Sequence, residues 1–167
     1  MAFSPRSVLT TLIDAPMRTG SVVWIGLRPA QREPLQVVEA ATAAAGEGLI
    51  GDRYRARNDG RRQVTLVSAE HLRAIASFLG RDAVDPGLLR RNVVVAGVNL
   101  LALKEKQFRL GEALLEYTGE CEPCSRMEEA LGVGGYNAVR GHGGITARIV
   151  TTGEIRLGDS VRVVTPK

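Results

Sequence analysis

The chain has 167 residues, of which 44% are hydrophobic and 24% charged, and its formal net charge is +4. Both fractions are ordinary for a soluble globular protein, and the length suits one domain with its own core. No apolar run approaches the roughly 18 residues of a membrane span, and the apolar stretch 8–13 is too short and too broken for a signal peptide. We therefore expect a cytoplasmic protein with no membrane partner.

The first third of the chain is predicted to be an arm followed by two strands. We expect residues 1–18 to form a loosely attached arm and residues 19–167 to form a single domain. Residues 21–27 are apolar and β-branched, and residues 35–44 alternate loosely, so both segments are predicted to be strands. A glycine-rich turn follows, in which closely spaced glycines indicate backbone with positive φ.

The middle of the chain is predicted to be strand, helix, strand. Residues 62–67 have the composition of a strand. Ser68 is a typical helix N-cap, apolar residues then recur at helical spacing, and Gly80 is a plausible end. Residues 88–91 are predicted to form one helical turn, and the valine-rich segment 92–96 a strand.

Four further strands are predicted in the last third, over residues 107–110, 113–118, 144–151 and 159–165, the last two joined by a turn. Strands then outnumber helices by about three to one, and Gly-rich turns separate them. The sequence therefore predicts a mainly β fold with a few short helices, arranged as a closed or partly open β-barrel.

Arginines cluster at two places. One cluster consists of Arg53, Arg55, Arg57, Arg61 and Arg62, and the second of Arg90 and Arg91. The planar guanidinium can donate two hydrogen bonds at once to a phosphate, although a solvated charged face is the alternative. Nucleic acid is a less favoured partner because aromatic stacking residues are scarce and no long basic run exists.

Cys121 and Cys124 form a C-x-x-C pair, which in a reducing compartment is more typical of a reactive or metal-binding pair than of a structural disulfide. Pro123 suits the first position of a helix, which would put Cys124 in the first turn. Unpaired backbone N–H groups there favour a thiolate, the form that attacks sulfur or binds metal. Arg126 would favour the thiolate further, and four nearby glutamates would oppose it.

Three alternatives compete with a reactive Cys124. A thioredoxin-like redox pair needs a βαβ setting, which is not visible around the motif. Half of a zinc site needs further ligands, and neither His71 nor His142 has zinc-finger spacing. Two buried, inert cysteines are the third alternative.

Several segments between residues 35 and 164 occur in an order typical of one family. They are Gly51-Asp52-Arg53-Tyr54, Gln63 through Ser68, Arg90-Arg91-Asn92-Val93-Val94-Val95, Phe108-Arg109-Leu110-Gly111, Gly119 through Cys124, Gly143-Gly144 with Ala147-Arg148, and Gly153 through Asp159. Together they resemble the MOSC domain, the C-terminal domain of molybdenum cofactor sulfurases, in its small stand-alone bacterial form. The resemblance implies a barrel related to the barrel domain of pyruvate kinase.

The resemblance also implies a molybdenum cofactor site. Cys124 would be the ligand to molybdenum or the carrier of a persulfide, and Cys121 would release sulfur by forming a disulfide. Arg90 and Asn92, two apart on one strand face, would hold the phosphate and the edge of the pterin, with Arg91 pointing toward solvent. Further expected cofactor contacts are Gly51, Asp52, Arg53, His142, Gly143 and Gly144.

The sequence therefore predicts a molybdenum-cofactor protein that reduces N-hydroxylated compounds. The alternatives are a sulfur carrier that forms a cysteine persulfide, and a cofactor-binding module without enzymatic activity. Molybdopterin, a sulfur donor or acceptor protein and a redox partner are the expected partners. No lysine lies in a motif typical of a Schiff base, so we expect no pyridoxal phosphate site in this chain.

Overall fold

The structure is a computed structural model that describes residues 7–54 and 60–165. Its regular structure is mostly β. The strands are β1 (Gly20–Leu27), β2 (Gln36–Val38), β3 (Ala40–Ala44), β4 (Gly48–Leu49), β5 (Val64–Ser68), β6 (Val93–Ala96), β7 (Gln107–Leu110), β8 (Ala113–Glu120), β9 (Ile145–Thr151), β10 (Gly153–Arg156) and β11 (Ser160–Val163). The helices are α1 (Val8–Ile13), α2 (Ala69–Phe78), α3 (Ser125–Leu131) and α4 (Gly135–Val139), with 3₁₀ turns at Pro86–Leu89 and Leu100–Leu103.

Seven strands close into a barrel. They follow the order β11-β7-β8-β9-β5-β6-β1, and pairing of β1 with β11 closes the ring, while β2 extends the sheet from β1. The pairs are antiparallel except β5 with β6, which run parallel and are connected through α2. A parallel pair needs such a crossover, because a tight turn cannot return the chain in the same direction. The predicted mainly β fold is confirmed, and of the closed and partly open barrels that the sequence allowed, the structure has the closed one.

The core lies inside the barrel and is built from aliphatic side chains. Inward residues such as Val64, Leu66 and Leu115 are fully buried, and Phe108 is the single aromatic side chain among the buried core residues of the described chain. A second apolar cluster lies outside β5 and β6, where helices α2, α3 and α4 cover Val94 and its neighbours. Because both faces of β5 and β6 are covered, these strands are apolar on both sides.

Some predicted elements differ from the structure. The predicted strand 35–44 is interrupted at Glu39, and its halves, β2 and β3, belong to different sheets. The predicted turn between the last two strands contains β10, which pairs with β3 from Gly153 to Arg156. A run of alternating residues shows which side chains share a face, but it does not show that the chain passes from one sheet to another.

The predicted arm contains helix α1, which was not anticipated. Ser7 caps the helix by accepting a hydrogen bond from the backbone N–H of Thr10 at 3.1 Å. None of the six residues of α1 is buried, and Lys106 donates a hydrogen bond from Nζ to the carbonyl of Ile13. No helix in residues 7–54 and 60–165 is long and apolar enough to cross a membrane.

Candidate functional site

An open cavity of about 450 Å³ lies where the ends of β1 and β5 approach the segment before β6 and the start of α3. We call it the cysteine cavity. It is lined by Arg28, Asp52, Tyr54, Arg62, Thr65, Arg90, Arg91, Asn92, Glu122, Pro123, Cys124, Arg126 and Met127. The structure thus brings Cys124 together with the predicted residues Arg90, Asn92 and Asp52.

Cys124 is exposed and is the N-cap residue of α3. Its carbonyl accepts the backbone N–H of Met127 at 2.9 Å, while its thiol makes no capping hydrogen bond. The sequence predicted that the helix begins at Pro123. It begins two residues later, at Ser125. Because Met127 and Leu131 are buried in the apolar cluster outside the barrel, α3 holds Cys124 at the cavity wall.

Cys121 lies in a different environment from Cys124. Its side chain is 4% exposed and does not line the cysteine cavity. Burial raises the pKa of the Cys121 thiol, and the charge of Arg91 opposes that shift in part. Its backbone N–H donates to the carbonyl of Gly144 at 2.9 Å, which fixes the segment before Pro123 against the glycine loop. Both cysteines are free.

Arg91 is the buried cation of the site. It is 7% exposed, and it donates from Nε to the carbonyl of Gly143 and from Nη1 to that of Leu89, each at 2.7 Å. Its Nη2 is buried and has no hydrogen-bond partner among the described residues. Burial lowers the pKa of Arg91, and the nearby sulfurs of Cys121 and Cys124 oppose that shift.

The prediction that Arg91 faces solvent is wrong. It rested on strict alternation along a strand that begins at Arg90, whereas β6 begins at Val93. Arg90 follows the 3₁₀ turn with a left-handed backbone, φ 60°, so the alternation of the strand does not extend back to it. As a result Arg90, Arg91 and Asn92 all line the same cavity.

Asn92 uses its side-chain amide within the protein. Oδ1 accepts two hydrogen bonds from Thr65, one from the backbone N–H at 3.2 Å and one from the side-chain hydroxyl at 3.1 Å. Nδ2 donates to the carbonyl of Gly26 at 3.2 Å and to Oδ1 of Asp52 at 3.4 Å. The amide therefore has partners for both donors and for the acceptor. In this structure Asn92 connects the walls of the cavity.

Asp52 is 6% exposed and holds the end of β1. Its Oδ1 accepts the backbone N–H of Arg28 at 2.7 Å. Gly51 and Arg53, the other predicted contacts of this segment, do not line the cysteine cavity. The backbone N–H of Arg53 donates instead to the carbonyl of Arg28 at 2.5 Å. This hydrogen bond joins the loop after β4 to the residue that follows β1. Arg55 and Arg57 lie outside the described residues.

Five arginines line the cysteine cavity, against two carboxylates. The cations are Arg28, Arg62, Arg90, Arg91 and Arg126, and the carboxylates are Asp52 and Glu122. Arg28 was not identified from the sequence because it belongs to no cluster of arginines. Its position directly after an apolar strand was the one sequence feature that could have indicated a place in the site. Such a lining attracts anions, and its guanidinium forks match the oxygens of a phosphate.

The loop of Gly143 and Gly144 lies behind the cavity. A side chain at Gly144 would lie 1.8 Å from the carbonyl oxygen of Leu66, and one at Gly143 would lie 2.3 Å from that of Cys121. Gly144 also has φ +89°, which only glycine adopts readily. Gly143 and Gly144 were predicted to contact the cofactor. In this structure their backbone lies close to other protein segments instead, and the carbonyl of Gly143 accepts a hydrogen bond from Arg91.

His142 is not among the residues that line the cysteine cavity. Its ring lies 4.8 Å from that of His71 and 5.3 Å from that of Phe78, both in edge-to-face contact. The predicted position of His142 in the pocket is therefore not seen. Within the described residues no group of three or more His, Cys, Asp or Glu side chains is placed to hold a metal ion.

Comparison with known proteins agrees with the barrel and with the order of the motifs. The family model for the MOSC domain matches residues 31–162. The YuaD protein of Bacillus subtilis is 22% identical, with a TM-score of 0.77 over 90% of this chain and 98% of that chain. YiiM of Geobacillus stearothermophilus is 17% identical, with a TM-score of 0.69 over 87% of this chain and 75% of that chain.

YiiM of Escherichia coli is 16% identical, with a TM-score of 0.66 over 88% of this chain and 71% of that chain. These identities support a common fold, and the functions of those proteins are not transferred by them. No curated protein matches the chain. On the family-model match, which covers most of the sequence, the chain belongs to the MOSC domain family.

Proposed function

We propose that this chain binds a molybdenum cofactor in the cysteine cavity, with Cys124 as a ligand to the metal, and reduces N-hydroxylated compounds. The observation that carries the proposal is the combination of an exposed thiol with the buried Nη2 of Arg91, which lacks a hydrogen-bond partner among the described residues. A buried donor without a partner costs about 1–3 kcal/mol. Because Nη2 is buried beside Gly143, a phosphate oxygen could accept from it only after a small movement of the cavity wall, and that hydrogen bond would remove this cost.

The residues present fit such a cofactor. The five arginines of the cavity offer paired donors to a phosphate, and the Cys124 thiol offers a soft sulfur ligand to a metal. The described residues hold no set of three metal ligands, so a metal would have to arrive with most of its ligands already attached. Molybdenum bound to the two sulfurs of a pterin meets this condition. The cavity volume of about 450 Å³ suits a small organic ligand.

The cofactor would supply two-electron redox chemistry, while the chain binds and orients it. Arg91 and the neighbouring arginines would hold the phosphate, and Asn92 would keep Asp52 and the end of β1 in place through its hydrogen bonds. Reduction of an N-hydroxylated compound consumes two electrons and two protons and releases water. The proposal therefore includes a redox partner that delivers the electrons.

A sulfur carrier is the second candidate, and the exposure of Cys124 favours it. A donor protein can reach this thiol, and the cavity arginines favour an anionic persulfide. In the transfer step, an acceptor thiolate attacks the outer sulfur of the persulfide, and Cys124 leaves as a thiolate. Release through a disulfide with Cys121 would require movement, because Cys121 is buried away from the cavity.

One experiment separates the candidates. The protein, Cys124→Ser and Cys121→Ser are purified without oxygen and analysed for molybdenum, for pterin fluorescence after oxidation and for cyanide-labile sulfur. We expect about one molybdenum and one pterin per chain in the protein and in Cys121→Ser, and loss of the metal in Cys124→Ser. Thermal melts of all three check that the variants fold.

The other outcomes each favour a different function. Cyanide-labile sulfur on Cys124 without metal or pterin would replace the proposal by the sulfur carrier. Metal and pterin without reduction of benzamidoxime, in the presence of a chemical electron donor, would favour a cofactor-binding module without enzymatic activity. Metal that persists unchanged in Cys124→Ser would remove Cys124 as the ligand.

A further inference from the structure

Helix α1 has an apolar side that the described residues do not cover. Its four large apolar side chains form one contiguous stripe along the helix, and they are Val8, Leu9, Leu12 and Ile13. These side chains are between 52% and 78% exposed. The other exposed large hydrophobic side chains of the described residues are scattered singly or in pairs, which is normal for a protein surface. Four such side chains within six positions therefore indicate an interaction surface.

A groove lies beside this stripe. It has a volume of about 580 Å³ and lies between α1 and the 3₁₀ turn that follows β6. We call it the α1 groove. Its apolar lining includes Leu12 and Ile13 of the helix and Leu101 of the turn, and its charged lining consists of Lys104 and Glu105. No residue that lines the α1 groove also lines the cysteine cavity, so the two surfaces are separate.

Helix α1 is too short to be stable by itself. Isolated helices shorter than about 12–15 residues are marginal in water, and packing of an apolar face supplies most of the stability of helices in proteins. None of the six residues of α1 is buried, and the hydroxyls of Thr10 and Thr11 form hydrogen bonds to Ser7 at the cap. Lys106 holds the end of the helix through the carbonyl of Ile13. A surface that covered the apolar stripe would therefore stabilise α1.

The size of the exposed patch suits a second copy of this chain. Together with Leu101, the four side chains of the stripe expose on the order of 400 Å² of apolar surface. Two such patches, with the residues around them, approach the roughly 1,000 Å² that a specific interface needs. A two-fold interface joins the same patch of both copies, so one exposed patch on each chain is sufficient to form it.

The charges of the groove favour the same occupant. Lys104 and Glu105 give the α1 groove one charge of each sign. A two-fold axis would bring Lys104 of one copy to Glu105 of the second copy, and the reverse, because such an interface is self-complementary. An anionic membrane surface would instead be matched by several lysines or arginines beside the apolar stripe.

We propose that the apolar stripe of α1 and the α1 groove form the interface of a two-fold symmetric dimer of this chain. Helix α1 of each copy lies against the α1 groove of the other copy, and each copy keeps its own cysteine cavity. The proposal does not depend on the proposed function, because the groove and the cysteine cavity share no lining residue.

The test measures the mass of the full chain in solution by light scattering and sedimentation at increasing concentrations. We expect the mass to rise toward twice the 17.9 kDa of one chain. Leu9→Asp or Leu12→Asp places a charge in the apolar interface and should raise the dissociation constant of the dimer at least about tenfold. Val133→Asp, at an exposed apolar side chain between α3 and α4, is the matched control and should leave the constant unchanged. Thermal melts check that each variant folds.

Exchange of the two charges tests the two-fold arrangement. Lys104→Glu alone and Glu105→Lys alone each bring like charges together across the axis, so each should weaken the dimer about fivefold. The double variant Lys104→Glu with Glu105→Lys restores opposite charges at both contacts. Its dissociation constant should therefore return to that of the original chain.

Three results would overturn the proposal: the mass of a single chain at every concentration, a dimer that Leu9→Asp and Leu12→Asp leave unchanged, or a double charge variant as weak as the single ones. A single chain that binds vesicles of phosphatidylcholine and phosphatidylglycerol, and loses this binding in Leu12→Asp, would identify the stripe as a membrane-binding surface instead. Because these measurements need no cofactor, they succeed or fail separately from the analysis of molybdenum and pterin.

Discussion

At the scale of single residues, the contrast between the two cysteines is the main chemical feature. The C-x-x-C spacing places both on one short segment, yet Cys124 is exposed at the cavity and Cys121 is 4% exposed behind it. Burial raises the pKa of Cys121, which keeps it in the thiol form at neutral pH. Reaction with sulfur, metal or an alkylating agent is therefore expected at Cys124.

We expect a limiting amount of iodoacetamide at pH 7 to modify Cys124 at least about tenfold faster than Cys121, since burial both raises the pKa of Cys121 and shields its sulfur from the reagent. Peptide mass mapping over a time course gives the two rates. In urea-unfolded protein the rates should become similar, because burial no longer distinguishes the thiols. Faster labelling of Cys121 in the folded protein would reverse the roles.

At the scale of elements, Asn92 connects three parts of the site. Its hydrogen bonds reach Gly26 in β1, Thr65 in β5 and Asp52 in the loop after β4. These bonds lie in a buried position, since Asn92 is 7% exposed. The cavity wall therefore depends on a side chain that was predicted from the sequence to contact the pterin.

Replacement Asn92→Ala is expected to lower the free energy of unfolding by about 2–4 kcal/mol, because it leaves buried partners without hydrogen bonds. Urea unfolding followed by circular dichroism measures the change. Asn137→Ala, at an exposed asparagine, is the control and should cost less than about 0.5 kcal/mol. A variant Asn92→Ala as stable as the original chain, but unable to bind cofactor, would show that Asn92 contacts the ligand directly.

The elements differ in how well the sequence predicts them. Strand β6 and helix α2 have strong local signals: consecutive valines in one, and a Ser68 cap that accepts the His71 N–H at 3.1 Å in the other. The two-residue strand β4 and the five-residue helix α4 have too few residues to show a period, so they were not predicted. Their existence depends on neighbours distant in sequence.

At the scale of the whole molecule, packing of the helices against the barrel creates a pair of histidines. His71 on α2 and His142 after α4 lie with ring centroids 4.8 Å apart. Burial, followed by the charge of His142, lowers the pKa of His71, and Glu70 opposes the shift. The stability of the molecule should therefore depend on pH near neutrality.

The sign of this dependence follows from linkage. Since the folded state holds the pKa of His71 below its ordinary value of 6.5, the unfolded chain binds a proton first as the pH falls through that value. We expect the thermal midpoint to decrease between pH 7 and pH 5, and to decrease less in His71→Gln. Thermal melts across this range test it, with Asn137→Ala as a control that should follow the original chain. If the thermal midpoint decreased equally with pH in His71→Gln and in the original chain, the pH dependence would belong to other groups.

The sequence by itself determined the fold class, the family and the segment that carries the two cysteines. Strand alternation, Gly-rich turns and the ordered motifs from Gly51 to Asp159 all depend on residues close together in the chain. The barrel class follows from these local patterns, because many short strands joined mostly by turns have few other ways to cover their edges.

Only the tertiary structure decided which side chains meet at Cys124. Arg28, Arg62 and Arg91 come from three separate segments, and barrel closure brings them to one cavity. Arg90 has a left-handed backbone and β6 begins only at Val93, so strand alternation does not predict the direction of Arg91, which is buried. Local periodicity determines faces of strands, whereas a site depends on contacts between distant segments, and those exist only once the barrel has formed.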